Sequence, residues 1–299
     1  MAEPAPASSP FQTARRIKQL LRSHGLRPNR SLGQCFLIDR RTMEAIVELA
    51  ALERTDLVLE VGTGTGSLTG LIAQRAGAVV SVEVDRALYG IARELLGDEP
   101  NVVLLCCDAL RTKHQVEPAV LAAVEEAQRS FGCQRRKLVA NLPYRIATPL
   151  LINLLYSGPR WERFVVTVQL ELAQKMVARP GEDAYGAVSV LMQAVAEVRL
   201  ERRVPPAAFW PRPEVYSAVV DVVPDAERYQ AVRDLAQFRR FVHRLFAARR
   251  RTLAKALQGV APTARAEQWL KAAGVDPRRR VERLGWQEFV WLFGTLENN

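Results

Sequence analysis

Leu57-Val58-Leu59-Glu60-Val61-Gly62-Thr63-Gly64-Thr65-Gly66 is a β-rich apolar run that passes directly into a glycine loop, and a helix-like stretch follows through Ala76. A strand covered on both faces reads as a continuous apolar run, whereas a half-exposed one alternates. The order strand, loop, helix therefore predicts one unit of a parallel sheet, with the loop at the carboxyl end, where such sheets hold ligands. Glycines there let backbone approach a ligand closely and present N–H donors at a helix N-terminus. A dinucleotide fingerprint would need Gly-x-Gly-x-x-Gly; this chain has Gly-x-Gly-x-Gly, with Ser67 at the decisive position and no Lys or Arg in the loop.

The alternation continues downstream. Val79 to Val84 predicts a second strand and Arg86 to Leu96 its helix; Val102 to Cys107 predicts a third strand, followed by a helical stretch from Pro118 to Ser130. Leu138 to Asn141 and Phe164 to Leu170 read as the fourth and fifth strands, separated by a helix over Pro149 to Tyr156. The expected class is α/β with a Rossmann-like sheet. After Gly186, Ala187 to Leu200 and Ser217 to Val223 look like strands joined by the proline-rich loop Val204 to Pro213, close enough to pair as an antiparallel edge. From Asp234 onward the reading is all helix, with Leu235, Phe238, Val242, Leu245 and Phe246 on one stripe. Upstream, Phe11 to His24 fits a short basic helix, and Arg40 to Ala51 another helix. The chain thus divides into a basic N-terminal tail and helix (1–30), the sheet domain (31–225) and a small all-helical domain (226–299).

The totals suit a soluble globular protein: 299 residues, 48% hydrophobic and 25% charged. The net charge of +10 is segregated: Met1 to Arg41 holds eight basic and two acidic residues, and Ala226 to Asn299 fifteen basic and seven acidic, which leaves a mildly acidic middle. That layout suggests a catalytic body with electrostatic arms for a polyanion. Cys35, Cys106, Cys107 and Cys133 lack zinc-like spacing, and the three histidines are scattered, so no metal is expected. The first ten residues carry no secretory pattern and read as a disordered tail, and no apolar run approaches the ~18 residues of a membrane span. The expectation is a cytoplasmic protein with no membrane association.

Two acids sharpen the glycine loop. Glu83 ends the second strand, where a carboxylate accepts the hydroxyls of an adenosine ribose, and Asp108 ends the third, where it accepts an adenine amine. An adenosine site without a phosphate clamp favours S-adenosylmethionine over NAD or ATP. The fourth strand runs into Asn141-Leu142-Pro143-Tyr144. The Asn141 side-chain oxygen and the Leu142 carbonyl, ahead of a proline without N–H, suit the exocyclic amine of an extruded adenine, with the Tyr144 ring stacked on the base. Phe209, in the proline-rich loop, reads equally as a cover for the base's other face and as core.

Taken in order, these motifs resemble the ribosomal RNA small-subunit adenine dimethyltransferases, the KsgA family, from about Ser31 to Phe293. Gly33-Gln34-Cys35-Phe36-Leu37 is similar to that family's Gly-Gln-Asn-Phe-Leu. The glycine loop, Val82-Glu83-Val84-Asp85, Asp108-Ala109-Leu110 and Asn141-Leu142-Pro143-Tyr144 fall in sequence. Val168-Gln169 with Glu171, Tyr185-Gly186, Val204 to Pro213, Phe246 with Arg249-Arg250-Arg251-Thr252-Leu253, and Arg283-Leu284 complete the series. The resemblance implies a class I methyltransferase sheet, with S-adenosylmethionine contacting Cys35, Leu37, Gly62, Glu83, Asp108 and Asn141. It implies a monomer acting on a pre-ribosomal particle, on two adjacent adenosines near the 3′ end of 16S-type RNA, each dimethylated at N6. Three departures stand out: Cys35 for an Asn, Arg145 for an Asn after the tyrosine, and a longer stretch over Lys113 to Arg136.

Two other readings share part of this pattern: a large-subunit RNA adenine-N6 methyltransferase, and a non-catalytic nucleic-acid-binding assembly factor. The proline-rich loop and the Arg-Arg-Arg-Thr-Leu segment favour the small-subunit target over the first. The intact Gly62, Glu83, Asp108, Asn141 and Tyr144 count against the second. Arg249 to Arg251 are expected on RNA phosphates, or else on a helix's solvent face.

Overall fold

A computed structural model describes residues 11–29, 33–158, 161–259, 270 and 274–297. The expected tail over the first ten residues, and Ser31-Leu32 at the start of the resemblance, lie outside them. The chain forms two compact units, one of Met1–Leu150, Trp161–Gln169 and Glu201–Asp221, the other of Leu151–Arg160, Leu170–Leu200 and Val222–Asn299. The second unit therefore contains more than the C-terminal helices: it also takes in the segments around residues 151–160 and 170–200.

In the first unit, strands β2 (Asp56–Val61), β3 (Ala78–Glu83) and β4 (Val102–Cys106) are parallel neighbours, and β7 (Arg135–Asn141) and β8 (Arg163–Gln169) extend the parallel array from β2. With β11 (Ser217–Pro224) and β9 (Ala196–Val204) the seven-stranded order is β4-β3-β2-β7-β8-β11-β9. Every residue of β2 and β3 is buried, as a two-sided sheet requires. Because β2, β3, β4 and β7 run the same way, Val61, Glu83, Cys106 and Asn141 end at one edge of the sheet. That common edge fixes the site.

Two of the covering helices start where short polar side chains satisfy their first N–H groups. Asp39 caps α2 (Arg40–Leu49) by accepting from Thr42 N at 2.9 Å, and Asp85 caps α4 (Arg86–Leu96) by accepting from Ala87 N at 2.9 Å. α3 (Ser67–Ala73) is wholly buried and packs with α2 in a core that includes Met43, Ile46, Ile72 and Val139. The basic helix α1 (Ala14–Ser23) presses Ile17 and Leu21 against Phe36, Leu88 and Ile91. The longer stretch after Lys113 is taken up by β6 (Gln115–Val116), which pairs with β5 (Leu110–Thr112), and by α5 (Pro118–Ser130), which packs on the sheet through Val120, Val124 and Ala127.

At the opposite edge, two buried charges face each other. Lys137 (3% exposed) places Nζ 2.9 Å from a carboxylate oxygen of Asp56 (0% exposed) and donates to the carbonyls of Ala50 and Ala51. Arg135 holds the other Asp56 oxygen at 2.6 Å. Pairing of this completeness is what makes buried ions tolerable.

One expected strand is a helix. Ala187–Gln193 forms α8, and only Ala196–Val204 is extended, as β9, beside β11 at the sheet's end. A short apolar run cannot be assigned by periodicity alone. Here the Ser189 hydroxyl accepts the Gly186 N–H at 3.0 Å and donates to the Lys175 carbonyl, which anchors the helix start. In the second unit, α10 (Leu235–Ala247) buries Phe238, Phe241, Val242 and Leu245, close to the expected stripe. These rings meet Phe289 and Phe293 of α12 (Trp286–Glu297), with centroids 5.5 to 6.5 Å apart. Arg249 is tied inward, 3.0 Å from Glu282 and donating to the Asp183 carbonyl, while Arg250 and Arg251 are exposed. Among the described residues no helix is long and apolar enough to cross a membrane.

Candidate active site

A cavity of about 270 Å³ opens at the carboxyl edge of the sheet, within the first unit. Its walls come from the loop and strand β1 (Phe36–Leu37), the glycine loop, the ends of β3 and β4, and the turn that begins at Asn141. Of the residues expected at the site, Cys35, Leu37, Gly62, Glu83, Asp108, Asn141, Leu142 and Tyr144 all line it. Four separate strand ends converge there because the sheet is parallel.

The glycine loop and the Asn141 turn touch. Gly62 adopts φ +93°, and a Cβ added there would lie 3.2 Å from Pro143 Cδ and 3.5 Å from the Asn141 carbonyl oxygen. Only glycine suits both the backbone conformation and the approach. Glu83 is 5% exposed, and burial pushes its carboxyl up despite the N–H groups it accepts from Asp85 (2.9 Å) and Gly64 (2.8 Å). Each oxygen accepts one backbone bond, which leaves lone pairs for two ligand hydroxyls. Asp108 is exposed and accepts Leu110 N through Oδ1.

Asn141 stands between these parts. Its Nδ2 donates to the Cys35 carbonyl at 3.2 Å, which fixes the amide's orientation and leaves Oδ1 buried with no partner among the described residues. A buried acceptor left unpaired is costly, about 1–3 kcal/mol, and is uncommon in a folded protein. Cys35 contributes its backbone here, so the departure from Asn at this position leaves the contact in place. Burial raises the Cys35 thiol above its ordinary range, which keeps it neutral. The Leu142 N–H donates to Thr167 O at 3.1 Å, locking the turn onto β8. Tyr144 begins α6 (Tyr144–Leu155), and its hydroxyl shares a 2.7 Å hydrogen bond with Ser217. The exposed Arg145 also lines the cavity.

Phe209 is not brought to the cavity. It is 3% exposed, lies in β10 (Phe209–Trp210) opposite Leu37 of β1, and packs in the core with Val204, Ala208 and Val219. Its apolar ring is better satisfied there than at a wet rim, so the core reading holds for Phe209.

Sequence reasoning missed three contributors. Ile17 of α1 lines the cavity, so the basic helix also forms part of its wall; the amphipathic stripe hinted at burial but not at its location. Gln34 donates to Asp85 at 2.8 Å, steadying the loop before β1. Glu60, an acid within an apolar strand, accepts hydrogen bonds from Thr69 and Ser81 beneath the glycine loop. Among the described residues, no group of three or more His, Cys, Asp or Glu is placed to hold a metal.

The family described as "Ribosomal RNA adenine dimethylase" matches residues 25–298. A "Ribosomal RNA small subunit methyltransferase A" from Magnetococcus marinus is 41% identical over 280 residues, covering 94% of this chain and 96% of its own length. Its namesake from Moorella thermoacetica is 38% identical over 287 residues, covering 96% and 98%. Among solved structures, that of "23S rRNA methyltransferase ErmE" is 28% identical with TM-score 0.63 and covers 88% of this chain and 99% of its own. A dimethyladenosine transferase from Plasmodium falciparum shares the fold at 20% identity and TM-score 0.69, covering 87% and 96%.

Proposed function

Since the chain belongs to the ribosomal RNA adenine dimethylase family, a group of methyltransferases, we propose that it uses S-adenosylmethionine to dimethylate N6 of two adjacent adenosines near the 3′ end of small-subunit ribosomal RNA. The observation that carries this reading is the unpaired Asn141 Oδ1, a buried acceptor on a residue that lines the cavity at the strand ends. The donor set suits the cofactor. Glu83 would take the ribose hydroxyls, Asp108 would take the adenine amine, and Gly62 and the Cys35–Leu37 segment would let backbone lie against the nucleoside. The cofactor supplies an electrophilic methyl on a sulfonium.

The residues of the chain do the rest by placement. The target adenine leaves its stack and lies against the Tyr144 ring. Asn141 Oδ1 and the Leu142 carbonyl would both accept from the N6 amine in the first transfer, and one of them from the remaining N–H in the second, leaving the nitrogen lone pair directed at neither and free to attack. Proximity and orientation supply up to several kcal/mol of the barrier reduction. The methylated amine is a strong acid and loses its proton to water, so no dedicated base is needed. The exposed Arg250 and Arg251 suit RNA phosphates, with affinity that falls steeply with salt.

Mass spectrometry of small-subunit RNA from cells lacking the protein tests the reading: dimethyladenosine is expected to disappear and to return on complementation. Its persistence would refute the assignment. Methylation of naked large-subunit RNA, with immature small subunits left unmodified, would instead place the target on the other subunit.

A further inference from the structure

Tyr144 carries a hydroxyl that stacking does not require, since a phenylalanine would present the same face to a base. That hydroxyl is held 2.7 Å from the hydroxyl of Ser217, which is fully buried at the first position of β11. The two residues before it, Val215 and Tyr216, are 45% and 53% exposed, so the chain enters the sheet at Ser217. Ser217 does not itself line the cavity; Tyr144 does. The ring is therefore gripped at both ends: its Cα is fixed by the first turn of α6, and its hydroxyl is fixed by a strand of the sheet.

We infer that Ser217 is a positioning residue for methyl transfer, setting the angle of the Tyr144 ring by hydrogen-bonding its hydroxyl. Rotation about the Cα–Cβ bond sweeps the far end of the ring through the largest arc, and the bond to Ser217 restrains that end. A ring free to swing would still bind a base, but in many orientations, and the cost falls on the fraction of encounters with the amine aligned. Burial raises the phenol above its ordinary range, so it stays protonated and able to keep the bond across neutral pH. The inference rests on the base-holding role proposed for Tyr144.

The test is a double-mutant cycle with Ser217→Ala and Tyr144→Phe, measuring single-turnover methyl transfer and cofactor binding. Each single substitution is expected to lower the transfer rate about tenfold, with cofactor Kd unchanged, and the double variant to be no slower than either single. Ser217→Thr, which keeps the hydroxyl, is expected to recover most of the rate. A purely structural Ser217 would lower the unfolding midpoint and leave the rate of the folded fraction intact; that result overturns the inference. So does a double variant slower by the product of the two single effects. If Ser217→Ala fails to fold, Tyr144→Phe at the wild-type rate is sufficient to overturn it. Absence of transfer by the wild-type chain would refute the proposed function itself, which separates the two failures.

Discussion

Glu60→Gln is expected to flatten part of the protein's stability profile against pH. Glu60 is 1% exposed in β2, and its Oε2 accepts from Thr69 at 2.5 Å and Ser81 at 2.7 Å. Burial pushes its carboxyl from the ordinary 4.5 up to about 7; the two hydrogen bonds pull the other way, and the neighbouring Glu83 adds a smaller push upward. The folded chain thus keeps a proton that the unfolded chain has released. Stability from this group is fully present below about pH 4.5 and is lost as pH rises through 7. At about 1.4 kcal/mol per pH unit between 4.5 and about 7, the loss amounts to about 3 kcal/mol. Gln has nearly the same shape and does not titrate. Urea unfolding of both proteins across this range isolates the term, because other groups titrate in both and cancel. The wild type is expected to lose about 3 kcal/mol relative to the variant from the acid end to the alkaline end. A difference constant across the range to within about 0.5 kcal/mol would refute the reasoning.

Two further outcomes follow from the same geometry. Lys137→Met removes a partner of the fully buried Asp56 and two bonds to the Ala50 and Ala51 carbonyls, leaving Arg135 as the remaining cation; a loss of about 3 kcal/mol is expected by urea unfolding, and less than about 1 kcal/mol would contradict it. Gly62→Ala places a methyl at φ +93° and 3.2 Å from Pro143, so cofactor affinity by calorimetry is expected to fall at least about tenfold in a chain that still folds.

Much of the site was legible because it is built on strand ends. Gly62, Glu83, Asp108 and Asn141 each close an apolar run, and a parallel sheet brings such ends to one edge whatever the intervening lengths. Phe209 was not legible, since an aromatic in a proline-rich loop packs as readily into a core as over a ligand. The run after Ala187 failed for a related reason: its apolar residues suit a buried helix or a strand, and Ser189 decides through bonds to Gly186 and Lys175. The Ser217–Tyr144 pair and the Lys137 bonds to the Ala50 and Ala51 carbonyls were invisible because the members of each lie 73 to 87 residues apart in the chain. Pairings at that range belong to topology, which local patterns carry only in outline.

In the proposed reaction Asn141 Oδ1 pins the target amine in line with the methyl donor. Single-turnover methyl transfer to immature small subunits by Asn141→Ala, with RNA affinity measured alongside, tests it most directly. The rate is expected to fall at least about 100-fold below wild type with RNA Kd unchanged. A rate near that of the wild type at full RNA occupancy would contradict it.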